Sequence, residues 1–303
     1  MIVHLVDGTY ELFRHFYGLR RFTKDKDRPM GAVVGVLNGV LQMIEEGAGF
    51  IGVATDHVIE SFRNELWDGY KTGDGIEPAL RAQFQPLEDA LIGMGVALWP
   101  MVELEADDAL ASAAALAAKD HSVQKVCIWT PDKDLAQCVR GDRVVQVDRK
   151  SHVIRNAAGV HAKFGVIPER IADYLALVGD ASDGYPGISG IGPKGAAGLI
   201  ERFGRIEDFP PEILGERKPL ALLFKRLATL KDDAPLFSEV ATLQWQGARK
   251  DFAAIATKLG DPRLFERAEK ALHSPKPLES HSPTSIALKT KPAKASKRPG
   301  NRS

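Results

Sequence analysis

The sequence predicts an α/β protein. A mainly parallel sheet flanked by helices is expected over residues 1–164, and a smaller all-helical domain over 165–272. Short apolar runs alternate with helical patterns through the first half, which is the signature of βαβ units. Four of those runs end in acid. From Val166 the apolar spacing lengthens to a helical period and stays there.

The run IVHLV reads as the first strand, closed by Asp7. GAVVGVLNGVLQMIEEG (31–47) is a helix between the first two strands. FIGVAT follows and is closed by Asp56. Residues 79–94 make a second helix, and VALWPMV a third strand. Three acids in four positions, Glu105, Asp107 and Asp108, then open an Ala/Leu-rich helix over 107–119. KVCIWT is a fourth strand, followed by Asp132 and Asp134. RVVQVD and HVIR, separated by RKS, read as a hairpin at the sheet edge. In the second half Pro168 stands where a helix can start. GAAGLIERFG, KPLALLFKRLATL and RKDFAAIATKLG are further helices.

The chain has 303 residues and 44% apolar content, enough for a substantial core. Two cysteines, Cys127 in a strand and Cys138 in a helix, give no disulfide framework and suit a reducing cytoplasm. No run reaches membrane-spanning length, and MIVHLVDG lacks the features of a secretion signal. The net charge of zero hides an asymmetry. From His273 onward there are seven Lys/Arg and one Glu, so the rest of the chain is net acidic by six. That segment, 273–303, is rich in Pro, Ser and Lys with little to bury, and is expected to be disordered.

Nine carboxylates carry the chemistry: Asp7, Asp56, Glu105, Asp107, Asp108, Asp132, Asp134, Asp180 and Asp183. In an open parallel sheet, ligands bind beyond the carboxyl ends of the strands. Acids at those ends converge although they are distant in sequence. Unneutralised, they would repel one another. Carboxylates suit Mg²⁺ or Mn²⁺, whereas Zn²⁺ prefers Cys and His. Nine acids exceed the needs of one Mg²⁺, so two ions are expected. Two-metal sites serve in-line displacement at phosphorus. Helix capping explains any one of these acids, but not the triplet at 105–108 together with Asp132 and Asp134. No Ser/His/Asp or Cys/His arrangement stands out, so hydroxide held by a metal is the expected attacker.

Gly190-Ile-Gly192-Pro-Lys194-Gly195 matches G-x-G-x-x-G, but a polar loop precedes it where a dinucleotide site needs a strand. It lacks the Lys-Ser/Thr of a phosphate-binding loop of the NTPase kind. A helix–hairpin–helix fits better. The glycines allow a tight turn, Pro193 suits a first helical position, and the free N–H groups can hold a DNA phosphate.

VDGTYELFR, SFRNELWDGYK, ELEADD, TPDKDLAQ and GDASDGYPGISGIGPKGA occur in the order and spacing of the bacterial 5′–3′ exonucleases. Over residues 1 to about 260 the chain resembles that family, which includes the 5′-nuclease domain of DNA polymerase I and the flap endonucleases. The resemblance implies a PIN-like α/β nuclease core, a helical arch over the active site and a helix–three-turn–helix domain that binds duplex DNA. It implies a metal-dependent 5′–3′ exonuclease and 5′-flap endonuclease. It assigns Asp7, Asp56, Glu105, Asp107 and Asp108 to one metal centre, and Asp132, Asp134, Asp180 and Asp183 to another. It makes Lys71 a contact to the scissile phosphate, Arg63 a further phosphate contact and Tyr70 a stacker on the terminal base. Gly190, Gly192, Lys194 and Gly195 would grip duplex backbone, with K⁺ on the turn carbonyls. The expected protein is a monomer acting on DNA with a 5′ end, flap or junction, cytoplasmic and nucleoid-associated. Alternatives are a structure-specific DNA-binding protein with weak nuclease activity and a related metal-dependent ribonuclease. Two departures concern the arch: Asp74 stands where the family has a cation, and His57 follows Asp56 where a small residue is commoner.

Overall fold

The computed structural model describes residues 1–23, 29–151 and 153–274. The elements in chain order are β1 (Ile2–Asp7), α1 (Gly8–Thr23), α2 (Gly31–Glu45), β2 (Phe50–Asp56), α3 (Pro78–Arg81), α4 (Phe84–Gly93), β3 (Ala97–Met101), α5 (Ala106–Lys119), β4 (Lys125–Trp129), β5 (Val144–Asp148) and β6 (Val153–Arg155). Helices α6 (Ala157–Phe164), α7 (Ile171–Val178), α8 (Pro193–Phe203), α9 (Pro211–Leu214), α10 (Lys218–Ala228), α11 (Phe252–Lys258) and α12 (Arg263–His273) follow among the described residues. The six strands form one sheet in the order β3-β2-β1-β4-β5-β6. Pairing is parallel from β3 through β5, and β5–β6 is the antiparallel edge hairpin. His152, at the start of the expected second hairpin strand, and the tail from 275 lie outside the described residues.

Strand order reverses at β1, whose two neighbours are β2 and β4. A crevice opens at such a point beyond the strand ends. Asp7 is the last residue of β1 and Asp56 the last of β2. β1 is built for burial on both faces: Val3, Leu5 and Val6 are at most 1% exposed.

The helix expected over 79–94 is two pieces, α3 and α4. Pro86 has no N–H to give Ala82 and its ring crowds that carbonyl, which breaks the helix there. Gln83, at the break, turns its side chain to α2 and accepts from the amides of Ala32 and Val33 at 3.2 and 3.3 Å. The expected arch is also corrected. Residues 66–77 form no helix; Gly73, Asp74 and Gly75 disfavour one, and Gly75 takes φ 82°. The arch is reduced to a loop and the single turn of α3.

The helical half has its own core, running from Val160 to Ala228 around Leu175, Tyr185 and Phe224, with Tyr70, Ala136 and Val139 joining it from the sheet half. After Ala228 the chain leaves that core. Leu230, Val240 and Leu243 pack with β1 and α5. Trp245, Phe252, Leu264 and Ala268 pack with α2 and α4. Residues 230–273, expected to belong with the helical domain, therefore strap the α/β layer. The amphipathic α12 supplied no cue to which partner it covers.

Candidate metal centre and nucleic-acid interface

Asp7 is 6% exposed. Its Oδ1 accepts from the Tyr10 amide at 2.8 Å, capping α1, and its Oδ2 from Thr130 Oγ1 at 3.2 Å. Burial pushes its pKa up to about 7, against the pull of the Tyr10 amide and with help from Asp56 and Asp132. Asp56 Oδ1 accepts from the Ala106 amide at 2.8 Å, which ties β2 to the start of α5. Its pKa is also raised, by burial above all, with Lys71 opposing. Asp107 is half-buried and raised well above the carboxylate range, by burial and then by Asp132 and Asp7. Asp7, Asp56, Asp107 and Asp132 thus share one patch of negative field, although Asp132 was expected with Asp134, Asp180 and Asp183; its charge falls first on Asp107 and also on Asp7.

A second group adjoins it. Oxygens of Asp134, Asp180 and Asp183 lie within 4.8 Å of one another, and all three residues are buried. Asp134 comes from the short helix after β4, and the other two from the loop after α7. Burial raises the Asp134 pKa well above normal, and Asp132, Asp183 and Asp180 add to the effect. Its Oδ1 is buried and has no hydrogen-bond partner. Carboxylate oxygens alone, crowded and one of them orphaned, fit a hard divalent cation.

Lys71 stands between Glu105 and the second group. Its Nζ is 2.7 Å from Glu105 Oε2 and 3.0 Å from Asp183 Oδ1, and the side chain is 30% exposed. Burial would depress the ammonium pKa, but Glu105 and Asp183 overcome it and hold it well above normal. Lys133, unmarked in the sequence although it stands between Asp132 and Asp134, is 2.7 Å from Asp180 Oδ2. Backbone contacts set this spacing. The Lys71 amide donates to the Asp183 carbonyl at 3.0 Å, and Trp67 Nε1 to the Gly184 carbonyl at 3.1 Å. A Cβ at Gly184 (φ 83°) would overlap the Gly69 carbonyl oxygen. Only glycine lets the two loops meet so closely.

Three expectations are corrected. Arg63 is 1% exposed and offers nothing to a phosphate. Its Nη1 reaches Glu105 Oε1 at 2.9 Å and Asp108 Oδ2 at 2.8 Å; its Nη2 reaches Asp108 Oδ1 at 2.7 Å. Asp108 is fully buried, and the Glu105 and Lys231 amides donate to it as well, at 3.0 and 2.8 Å. Its oxygens are spent on structure, so it has none to give a metal. Tyr70 is 4% exposed, with its hydroxyl 3.3 Å from Glu105 Oε2, so its ring face is not open to a base. Glu105 is intermediate in character. Burial would raise its pKa, but Lys71, Arg63 and Ser61 surround it, outweigh burial and hold the pKa below normal.

The hairpin is exposed. The Ile191 amide donates to the Ile188 carbonyl at 3.0 Å, and Gly190 takes φ 84°, as the third residue of such a turn requires. Pro193 opens α8, with Lys194 and Gly195 exposed in its first turn. A Cβ at Gly192 would meet nothing within 4 Å. That corner of the backbone is open to a large ligand.

Trp67 and Trp99 pack against Phe224 at 5.2 Å and Phe237 at 5.9 Å. His4 accepts from Trp129 Nε1 at 3.0 Å, and burial pushes its pKa down to about 4, so it is a neutral core residue. Both thiols are pushed up to about 12 by burial and are unreactive. No helix among the described residues is long and apolar enough to cross a membrane.

Residues 2–165 match the family model of the 5′–3′ exonuclease N-terminal resolvase-like domain, and residues 166–251 that of the 5′–3′ exonuclease C-terminal SAM fold. DNA polymerase I of Pseudomonas aeruginosa is 35% identical over 79% of this chain, which spans 28% of that polymerase. A 5′–3′ exonuclease of Buchnera aphidicola is 32% identical over 76% of this chain and 81% of its own length. Among solved structures, a variant of the bacteriophage T5 D15 flap endonuclease in a pseudo-enzyme-product complex with DNA and metal ions has a TM-score of 0.60. It is 19% identical, and the match covers 90% of this chain and 98% of that one. At that identity the likeness speaks for the fold.

Proposed function

Because the chain belongs to the 5′–3′ exonuclease family, we propose that it hydrolyses phosphodiesters of DNA at 5′ ends and 5′ flaps, leaving a 5′-phosphate and a 3′-hydroxyl. The observation that carries this reading is the pair of acid groups at the strand-order reversal, with Lys71 beside them paired to Glu105 and Asp183. Asp7, Asp56, Asp107 and Asp132 would hold one Mg²⁺ or Mn²⁺, and Asp134, Asp180 and Asp183 another. When bound, such ions supply an activated water and stabilise the leaving oxygen.

The chain's own residues do the rest. Lys71 presents an ammonium at the boundary of the two groups, where a phosphate entering the pocket meets its first cation. Glu105, held by Ser61 and Arg63, orients that ammonium. The N-terminus of α8, with Lys194 and the open backbone at Gly192, takes a phosphate of the duplex through N–H groups. K⁺ on the carbonyls of the same turn would extend this grip. The site of action in this reading is the nucleoid in the cytoplasm.

End-labelled 5′-flap, 3′-flap, nicked and blunt duplexes, incubated with Mg²⁺ or with EDTA, test the reading. Cutting of the 5′-flap substrate, abolished by EDTA, is expected. Equal cutting of the 3′ flap overturns the polarity, and cutting in EDTA overturns the metal dependence. Asp183→Ala should lower kcat by at least the ~10–100-fold that loss of an outer-shell metal partner costs, while flap DNA still binds in Ca²⁺. A defect confined to DNA affinity would remove Asp183 from the chemistry.

A further inference from the structure

Tyr185 lies two residues past Asp183, on the loop that carries both Asp180 and Asp183. It is 1% exposed. Its ring packs on Phe224 with centroids 5.5 Å apart. Its amide donates to the Asp180 carbonyl at 3.0 Å, and the Asp180 amide donates back at 2.8 Å. With ring and backbone both fixed, the hydroxyl cannot swing out to solvent. Yet it is buried with no hydrogen-bond partner.

A buried hydroxyl left unpartnered is destabilising, and phenylalanine would fill the same space without that penalty. The groups whose charge bears on it most are Asp134, then Asp183 and Asp180, the three carboxylates of the buried acid cluster. Asp134 Oδ1 is the other buried side-chain atom without a partner among the described residues. An orphan donor and an orphan acceptor at one acid cluster are what a hydrated cation satisfies. The carboxylate takes the ion, and the hydroxyl takes a water of its shell, since Mg²⁺ and Mn²⁺ keep several.

We propose that Tyr185 is a positioning residue of the Asp134–Asp180–Asp183 cation site, its hydroxyl donating to a water retained by the bound divalent ion. The inference rests on the reading of that cluster as a metal site. It adds a group outside the carboxylate set and explains why a polar atom is placed where an apolar ring would pack as well.

Calorimetric titration of the full chain with Mn²⁺, for wild type, Tyr185→Phe and Asp183→Asn, is the test, together with Tm in EDTA. Tyr185→Phe should keep or raise Tm in EDTA, because the unpartnered hydroxyl is gone. It should weaken one class of Mn²⁺ site by roughly tenfold, the low end of what outer-shell partners contribute. Asp183→Asn should weaken the same class further. A Tyr185→Phe isotherm identical to wild type overturns the proposal, as does a fall of Tm in EDTA, which would make the hydroxyl structural. If wild type binds no Mn²⁺, or Asp183→Asn binds it as wild type does, the reading of the cluster itself fails, separately from the role of Tyr185.

Discussion

A guanidinium held by two buried carboxylates cannot serve a phosphate without abandoning them. Arg63→Met should therefore act on stability: removing one partner of a buried network leaves uncompensated charge and costs about 3–5 kcal/mol. Urea denaturation checks this, and an unchanged midpoint with a raised KM on flap DNA would restore Arg63 as a substrate contact. The case shows where residue-level reading runs out. Asp7 and Asp56 were legible because a strand end fixes where its last side chain goes. Asp107 and Asp108 were not separable, because adjacent residues on a helix point about 100° apart. One rotation puts Asp107 among the acids and Asp108 onto Arg63. Tyr70 misled for a related reason. Its place beside Lys71 was visible, but the direction of its ring depends on Glu105, thirty-five residues away.

At the scale of elements, the hairpin separates two uses of glycine. Gly190 needs its positive φ, so Gly190→Ala should lower Tm. Gly192→Ala should leave Tm unchanged, since a Cβ there touches nothing, yet weaken duplex binding if a phosphate approaches the backbone at that corner. Lys194→Ala should weaken binding evenly across sequences and reduce the salt slope by about 1. Thermal melts and salt-dependent binding isotherms distinguish the three; unchanged affinity in both Gly192→Ala and Lys194→Ala would make the turn a plain connector. In the loop that replaces the arch, Asp74 is exposed and, among the described residues, makes no hydrogen bond to a cation; its amide donates to Thr72 Oγ1 at 3.2 Å. Asp74→Arg should lower KM on 5′-flap DNA at moderate salt, with the gain fading as salt rises. A KM that does not respond would place Asp74 away from the path of the DNA. Elements with a strong period, such as α2 and α5, could be read from the sequence directly. The break at Pro86 and the loop at 66–77 needed attention to proline and glycine, which stop a helix that the apolar pattern alone would continue.

For the whole molecule, the crowded acids make stability depend on pH. Asp7 has its pKa raised from 3.8 to about 7. A raised folded-state pKa means the native state binds that proton more tightly than the unfolded chain does. Its stabilising effect is full below about pH 4 and is lost as pH rises through about 7. Asp107 and Asp134 are shifted in the same direction and reinforce it. In EDTA, Tm should fall across that window, and Mg²⁺ or Mn²⁺ should restore it most at the upper end, where carboxylates are free of protons. A flat Tm in EDTA would show that the acids are less crowded than their burial implies. The route of the chain has a separate consequence, for synthesis. Trp245, Phe252 and Leu264 close the core that α2 and α4 begin, whereas the helical core is complete by Ala228. A ribosome releases the chain in order, so the part made first must wait for the part made last. The helical half can settle on the ribosome while the sheet half still exposes the apolar face that α12 will cover, open to chaperones and proteases. Nascent chains stalled near residue 240 should be cut within the sheet half, and resistance should arrive only once α12 has emerged.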